Sequence, residues 1–88
     1  MSLYKVEWKK SAKRELKKLD KQAIPRILQA VENLAENPYS SDSKKLVGSD
    51  SIYRIRAGNY RIIYNIKFSI LTVEVIKVGH RREIYRKR

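Results

Sequence analysis

Residues 51–64 read SIYRIRAGNYRIIY, two runs of alternating apolar and polar side chains on either side of Gly58-Asn59. A Gly-Asn pair between two such runs is typical of a β-hairpin with a two-residue loop. With these two residues as the loop, Arg56 and Arg61 take opposite positions on the paired strands. The stretch therefore predicts a tight antiparallel hairpin whose register brings two arginines side by side.

The predicted hairpin concentrates positive charge on one face of a sheet. Arg54 lies two residues before Arg56 and points to the same face, because side chains alternate along a strand. Like charges directly opposite each other destabilise a strand pair, so the pairing of Arg56 with Arg61 lowers stability. The alternative interpretation is a solvated face whose arginine stems cover apolar surface. Because three arginines share the face, we favour a site for a polyanion.

The charge of the whole chain points the same way. Its 88 residues are enough for one domain, which we expect to span residues 1–88, and they carry a net charge of +12. Residues 1–50 contain 11 basic and 7 acidic side chains, whereas residues 51–88 contain 10 basic and 2 acidic ones. Such an excess is typical of a nucleic-acid-binding domain, and an acidic protein or an anionic membrane are the alternative partners.

The composition also excludes several classes of site. The chain has no cysteine and one histidine, which excludes disulfides and thiolate metal sites and argues against structural zinc. We therefore expect neither a metal nor another cofactor. No stretch is apolar enough to span a bilayer, and an N-terminus that contains Lys5 and Glu7 does not resemble a signal peptide. We expect a soluble, cytoplasmic protein that makes no membrane contact.

Periodicity predicts a strand, two helices and three further strands. Alternation predicts the first strand at residues 3–8, and Ser11 is the candidate N-cap of the first helix. The second helix is expected to begin near Gln22, which places Pro25 in its first turn, and to end at residues 37–38. The later strands are expected at about 51–56, 60–67 and 70–78, and a short helix or turn at 82–88.

This order of elements indicates an α+β fold. An N-terminal strand and an antiparallel helical hairpin precede a three-stranded antiparallel meander, because short connections join consecutive strands. The apolar stripes of both helices need a partner, so we expect one sheet with the helices packed on one face. The arginine face is then predicted to be the side of the sheet left open to solvent.

Three segments of the sequence resemble the RelE/ParE superfamily of toxin–antitoxin toxins, most closely its RelE-like branch. They are residues 44–48 (KKLVG), 53–64 (YRIRAGNYRIIY) and 78–85 (VGHRREIY). The resemblance covers nearly the whole chain. It implies a ribosome-dependent endoribonuclease that cuts messenger RNA without a metal ion, and a small cognate antitoxin as partner. We therefore expect a monomeric toxin that forms hetero-oligomers with its antitoxin.

The resemblance also implies roles for individual residues. Arg61 and Arg81 match the phosphate-contacting arginines of the family, and Tyr85 matches its C-terminal tyrosine, which stacks on or orients the substrate base. Arg54 and Arg56 fall where well-studied RelE members carry lysines. Arginine stays protonated, so these two side chains can hold phosphate but are poor proton acceptors.

The general base is therefore sought elsewhere in the C-terminal segment. His80 is the one side chain of a type that ordinarily titrates near neutral pH, and we predict a catalytic role for it. Its alternative role is only to end the last strand, just as Tyr85 could simply pack the tail onto the sheet. Arg82 joins Arg54 and Arg56 as a predicted phosphate-binding residue.

Three alternative functions remain open at the level of the sequence. ParE-like toxins share the fold but poison DNA gyrase, and they typically lack the full basic and aromatic set at the tail. A non-catalytic nucleic-acid-binding domain would need only the charge. A degenerate toxin that only binds its antitoxin is the third possibility, and the intact arginine set argues against it.

Overall fold

The computed structural model describes residues 3–40 and 43–80, which form two helices and a five-stranded sheet. A short 3-10 helix, Phe68–Ile70, connects the last two strands. The helices are α1 (Lys10–Lys17) and α2 (Ala23–Glu36), and the strands are β1 (Lys5–Trp8), β2 (Lys44–Lys45), β3 (Ile52–Ala57), β4 (Tyr60–Lys67) and β5 (Thr72–His80).

The sheet has the strand order β1-β5-β4-β3-β2. β3, β4 and β5 form the predicted antiparallel meander, and β1 pairs with β5 in parallel. The predicted α+β class is confirmed. The strand β2 was not predicted, because a pair of lysines has no apolar alternation to reveal it. The predicted turn or helix at 82–88 lies outside the described residues.

Both helices contribute to a core on one face of the sheet. Ala12 of α1 is fully buried, and α2 supplies an apolar stripe of Ile27, Val31 and Leu34 at helical spacing. The sheet contributes alternate residues of its central strands, namely Ile55 and Ala57 of β3, Ile62, Tyr64 and Ile66 of β4, and Val73, Val75 and Val78 of β5. Within the described ranges, neither helix is both long and apolar enough to cross a membrane.

Tyr64 connects the end of α2 to the centre of the sheet. Its hydroxyl donates a hydrogen bond of 2.8 Å to the carbonyl oxygen of Pro38, just beyond the helix. Burial raises the pKa of Tyr64 from its ordinary value of 10.0 to about 12, so the hydroxyl remains a donor even in moderately alkaline solution. The ring also stacks on Tyr53, with centroids 6.0 Å apart.

The helix boundaries confirm one sequence prediction and overturn another. Gln22 precedes the first residue of α2, so Pro25 lies in the first turn as predicted. The prediction that Ser11 caps α1 is wrong, because the helix begins at Lys10 and Lys9 holds the cap position without a side-chain hydrogen bond. The backbone N–H of Lys9 instead donates to the carbonyl of Val75, so α1 starts directly where β1 leaves the sheet.

Glu15 of α1 holds the second half of β5. β1 pairs with β5 only as far as Val75, which leaves the following edge without a neighbouring strand. There the backbone N–H of Val78 donates to Oε1 of Glu15 at 3.0 Å, and Nζ of Lys77 lies 2.9 Å from Oε2. A carboxylate thus replaces the missing strand as hydrogen-bond acceptor for the segment that leads to His80.

We expect Glu15→Ala to lower the free energy of unfolding by about 1–3 kcal/mol, because the N–H of Val78 loses its acceptor. Glu15→Gln should recover most of this loss, since the amide oxygen can still accept the hydrogen bond. Chemical denaturation measures both changes. Glu32→Ala removes an exposed glutamate from α2 and serves as the control. Equal stability of the Glu15→Ala and Glu32→Ala variants would contradict this role for Glu15.

Candidate nucleic-acid interface

The predicted hairpin is present with the predicted register. Ala57 pairs with Tyr60 and Arg56 with Arg61, so Gly58-Asn59 is the two-residue loop. Gly58 has φ of +65°, in the left-handed region that glycine enters with little strain, whereas Asn59 does not have a positive φ. Positive φ at the first loop position alone is the feature of a type II′ turn, which matches the twist of the strands.

One face of the hairpin carries four basic side chains, which we call the cationic face. Arg54 and Arg56 alternate with the buried Ile55, so both point away from the helices, as does Arg61. The structure adds Lys44 of β2, which pairs directly with Arg54. Two like-charged pairs, one Lys–Arg and one Arg–Arg, therefore lie side by side on this face. Sequence reasoning missed Lys44 because only the pairing of a two-residue strand reveals it.

The four residues differ in exposure. Lys44 and Arg56 are exposed, Arg54 is half-buried, and Arg61 is only 4% exposed. The expectation that this face is open to solvent is therefore wrong for Arg61. At Arg61, β4 is flanked by β3 on one side and β5 on the other. β2 pairs with β3 only at Tyr53 and Arg54, so Arg56 lies at the edge of the sheet.

Burial changes what Arg61 can do chemically. A guanidinium does not lose its proton in proteins, so Arg61 brings a positive charge into a region with little water. Electrostatic interactions are stronger there than at the surface, because water screens them less. An anionic group that reached Arg61 would feel its charge more strongly than that of the exposed Arg56, which can make the first contact.

The acidic residues on this side of the sheet lie near the opposite end. Nζ of Lys67, the last residue of β4, is 3.9 Å from Glu7 and 3.7 Å from Glu74. The charge of the sheet is thus divided. Positive side chains lie beside the hairpin loop. Both carboxylates pair with Lys67, which follows Arg61 by six residues and lies at the far end of β4. An anion would be drawn to the loop end.

His80 lies on the opposite face from the arginines. It is the last residue of β5 and pairs with Tyr60, whereas the neighbouring Gly79 pairs with Arg61. The rings of His80 and Tyr60 meet edge to face, with centroids 5.4 Å apart, and Tyr60 packs against the core. The structure therefore brings His80 to the same end of the sheet as Arg56 and Arg61 without placing it among them.

The remaining predicted site residues, Arg81, Arg82 and Tyr85, lie outside the described residues. Of the predicted site residues, Arg54, Arg56 and Arg61 therefore belong to the cationic face, together with Lys44. Residues 3–40 and 43–80 contain no cluster of three or more histidine, aspartate or glutamate side chains that could hold a metal ion.

Arg26 of α2 is a further cation at this end that the sequence did not reveal. A Cβ atom added to Gly58 would lie 2.7 Å from Nη1 of Arg26 and 3.5 Å from its Cδ. The arginine side chain therefore lies directly over the hairpin loop and occupies the space that glycine leaves open. Glycine at position 58 therefore serves both the geometry of the turn and this close approach.

Comparison with known proteins agrees with this architecture. The sequence model of a family described as the ParE toxin of a type II toxin-antitoxin system, parDE, matches residues 6–85. The chain is 34% identical to the Mycobacterium tuberculosis toxin RelG over 92 aligned positions, which cover 96% of this chain and 98% of RelG. This chain is a member of the RelE/ParE superfamily of type II toxin–antitoxin toxins. The predicted resemblance is confirmed.

Solved structures place this RelE/ParE toxin close to proteins named RelE. The toxin–antitoxin complex RelBE2 of Mycobacterium tuberculosis contains a chain that matches with a TM-score of 0.80 at 28% identity, covering 89% of this chain and 98% of that one. The isolated E. coli RelE toxin matches with a TM-score of 0.78 at 26% identity, covering 96% of this chain and 93% of that one.

Replacing Arg56 with Gln should maintain or slightly raise thermal stability. The change removes the repulsion between Arg56 and Arg61, which is worth only about 0.2–1 kcal/mol for a cross-strand pair. Thermal unfolding of the variant checks this expectation. Lys13→Gln removes one exposed charge from α1 and controls for the lower net charge. A loss of several degrees in Arg56→Gln alone would show that Arg56 makes a stabilising contact.

Proposed function

We propose that this toxin cleaves messenger RNA on translating ribosomes and so inhibits translation. The observation that carries the proposal is the cationic face, where Arg56 pairs directly with Arg61 despite their repulsion. Clustered cations attract a polyanion, and their mutual repulsion is relieved when the polyanion binds. A ribonucleic acid backbone supplies such charge, and cytoplasmic ribosomes are the proposed place of action.

The proposed reaction uses the 2′-hydroxyl of the RNA as nucleophile. The 2′-oxygen attacks the adjacent phosphorus, the bond between phosphorus and the 5′-oxygen breaks, and the products are a 2′,3′-cyclic phosphate and a free 5′-hydroxyl. The proton of the 2′-hydroxyl passes to a base, and the leaving 5′-oxygen takes up a proton from an acid. Negative charge builds up on the non-bridging phosphate oxygens between these two proton transfers.

The arginines would stabilise that charge. In this proposal Arg61 contacts the reacting phosphate together with Arg81, and Arg54, Arg56 and Arg82 hold the neighbouring backbone. The low exposure of Arg61 favours such a role, because a cation that is shielded from water stabilises developing charge more effectively. Lys44 adds a further positive charge to the path of the RNA backbone.

A group other than the hairpin arginines must accept the proton of the 2′-hydroxyl and supply one to the 5′-oxygen. The contact between the rings of His80 and Tyr60 on the opposite face argues against direct access of His80 to a phosphate bound at Arg61. Tyr85, or a group of the ribosome, is then the preferred candidate, with Tyr85 also stacking on the substrate base. The role of His80 stays a prediction that a single variant can test.

We propose a small cognate antitoxin as the neutralising partner, with which this toxin forms a hetero-oligomer. The related RelBE2 structure is a toxin–antitoxin complex, and the net charge of +12 would favour a partner with acidic segments. Such a partner would compete with RNA wherever it covers the cationic face.

Expression of this protein in bacteria should arrest growth and protein synthesis, and the Arg61→Ala/Arg81→Ala double variant should relieve the arrest. Loss of one preorganised donor to a developing oxyanion typically reduces the rate about 10²–10³-fold. Labelled amino-acid incorporation after induction measures the effect, with Lys13→Gln as the control variant. Undiminished arrest by a double variant shown to be expressed and folded would contradict the proposed roles.

His80→Ala tests whether the histidine transfers a proton. A general base or acid contributes about 10²–10⁴-fold, so a catalytic His80 predicts a drop of that size in single-turnover cleavage on programmed ribosomes. From its contact with Tyr60 we expect a smaller effect, with Tyr85→Ala the more damaging change. A drop in the catalytic range for His80→Ala, with unchanged ribosome affinity, would overturn this expectation.

Inhibition of DNA gyrase is the second candidate function, favoured by the match to the ParE-named family model. A supercoiling assay with purified gyrase separates the two candidates. Our proposal predicts that the protein leaves supercoiling unchanged at concentrations that stop translation. Inhibition of gyrase without loss of translated messenger RNA would replace the proposed function with the ParE-like one.

A further inference from the structure

The hairpin loop separates two exposed guanidinium groups that come from different faces of the molecule. Arg56 extends from β3 on the cationic face, while Arg26 extends from α2 on the helical side and lies over Gly58. Both side chains are exposed. In the part of the chain that the structure describes, the ion pairs involve Lys67 and Lys77, and neither Arg26 nor Arg56 takes part in one.

We propose that Arg26 is a second phosphate-binding position, which extends the RNA-binding surface from the cationic face around the hairpin loop to the helical side. The ligand is the phosphodiester backbone of RNA, with one phosphate near Arg56 and another at Arg26. The loop between them has only two residues, and the guanidinium of Arg26 fills the space over Gly58, so a strand that crosses the loop meets Arg26. This inference rests on the proposed function for the identity of RNA as the ligand.

The surface around the loop favours RNA over a protein partner. Protein interfaces are anchored by buried aromatic and aliphatic side chains, whereas nucleic-acid interfaces are polar and positively charged. The exposed large hydrophobic side chains of the described residues all lie outside the loop and its flanking positions. They are Leu3, Leu28, Tyr39, Val47, Phe68, Ile70 and Leu71.

Gly58 provides an independent way to disturb Arg26. The 2.7 Å separation between an added Cβ and Nη1 is shorter than a normal contact, so Gly58→Ala forces the guanidinium to move. The same substitution strains the loop, because φ at this position is +65°. The charge of the protein is unchanged by this substitution. If Arg26 binds phosphate in its observed position, Gly58→Ala and Arg26→Gln should weaken RNA binding in the same direction. The part of the Gly58→Ala effect that acts through Arg26 should be absent in the Arg26→Gln background, whereas any effect of loop strain persists there.

The test measures binding of a short 2′-O-methyl oligoribonucleotide, which has no 2′-hydroxyl and cannot be cleaved by the proposed reaction. Titrations at several salt concentrations give the slope of log affinity against log salt. Arg26→Gln should reduce the magnitude of this slope by about 0.7, the value for one phosphate contact to a single strand. Arg26→Lys should keep the slope, and Gly58→Ala should reduce its magnitude less in the Arg26→Gln background than in the wild-type protein.

Arg14→Gln removes an exposed arginine from α1 and is the matched control, and thermal unfolding identifies any change that is only a loss of stability.

Parallel titrations with vacant ribosomes distinguish the source of the phosphate. A loss with the oligonucleotide indicates messenger RNA, and a loss confined to vacant ribosomes indicates ribosomal RNA. Both support the proposal.

Equal slopes for Arg26→Gln and Arg14→Gln with both RNA probes would overturn the proposal, as would no RNA binding by the wild-type protein. A defect of Arg26→Gln confined to antitoxin binding would assign the surface to the antitoxin instead. If the wild-type protein binds RNA through Arg26 but does not cleave translated messages, the proposed function fails while this binding site stands.

Discussion

The register of β3 against β4 determines where every functional side chain of the hairpin points. Sliding one strand by a single residue would turn Arg56 or Arg61 toward the helices and expose Ile55 or Ile62. Burying an apolar side chain of this size contributes about 1.5–3 kcal/mol, whereas a repulsive cross-strand pair costs only about 0.2–1 kcal/mol. The apolar face, with the loop at Gly58-Asn59, therefore forces Arg56 and Arg61 together.

That constraint gives the sheet an uneven distribution of charge. Lys44 and Arg54 form a second like-charged pair beside the first, whereas Glu7 and Glu74 pair with Lys67 away from the loop. The same end of the molecule holds Arg26 over the loop. Because positive groups from β2, β3, β4 and α2 lie there, we expect a polyanion to bind at this end of the sheet. RNA is the polyanion that we propose for this surface.

Local sequence signals predicted the elements well, because turns, prolines and alternation act over a few residues. The hairpin loop, the position of Pro25 and the α+β class follow from such signals. The start of α1 did not, because a backbone hydrogen bond from Lys9 to Val75, distant in sequence, fixes it. Lys44 and Arg26 escaped prediction for the same reason, since only tertiary pairing brings them to the hairpin.

The exposure and orientation of individual side chains are harder to predict from the sequence than the helices and strands. Alternation correctly placed the arginines away from the core, but it does not give the exposure of each side chain. Arg61 on the central strand is buried, and Arg56 at the edge is exposed. The position of His80 depended on the same geometry. Neighbouring residues on β5 point to opposite faces, so the residue that pairs with Tyr60 cannot share a face with Arg61.

The most direct test of the central claim is analysis of the RNA ends produced in a translating extract. Primer extension on a translated message, with and without the purified protein, locates any cut, and enzymatic treatment of the fragments identifies their termini. The account predicts cuts that appear only when the message is being translated, with a 2′,3′-cyclic phosphate on one side and a 5′-hydroxyl on the other. Intact message in an extract whose translation the protein has stopped would contradict it.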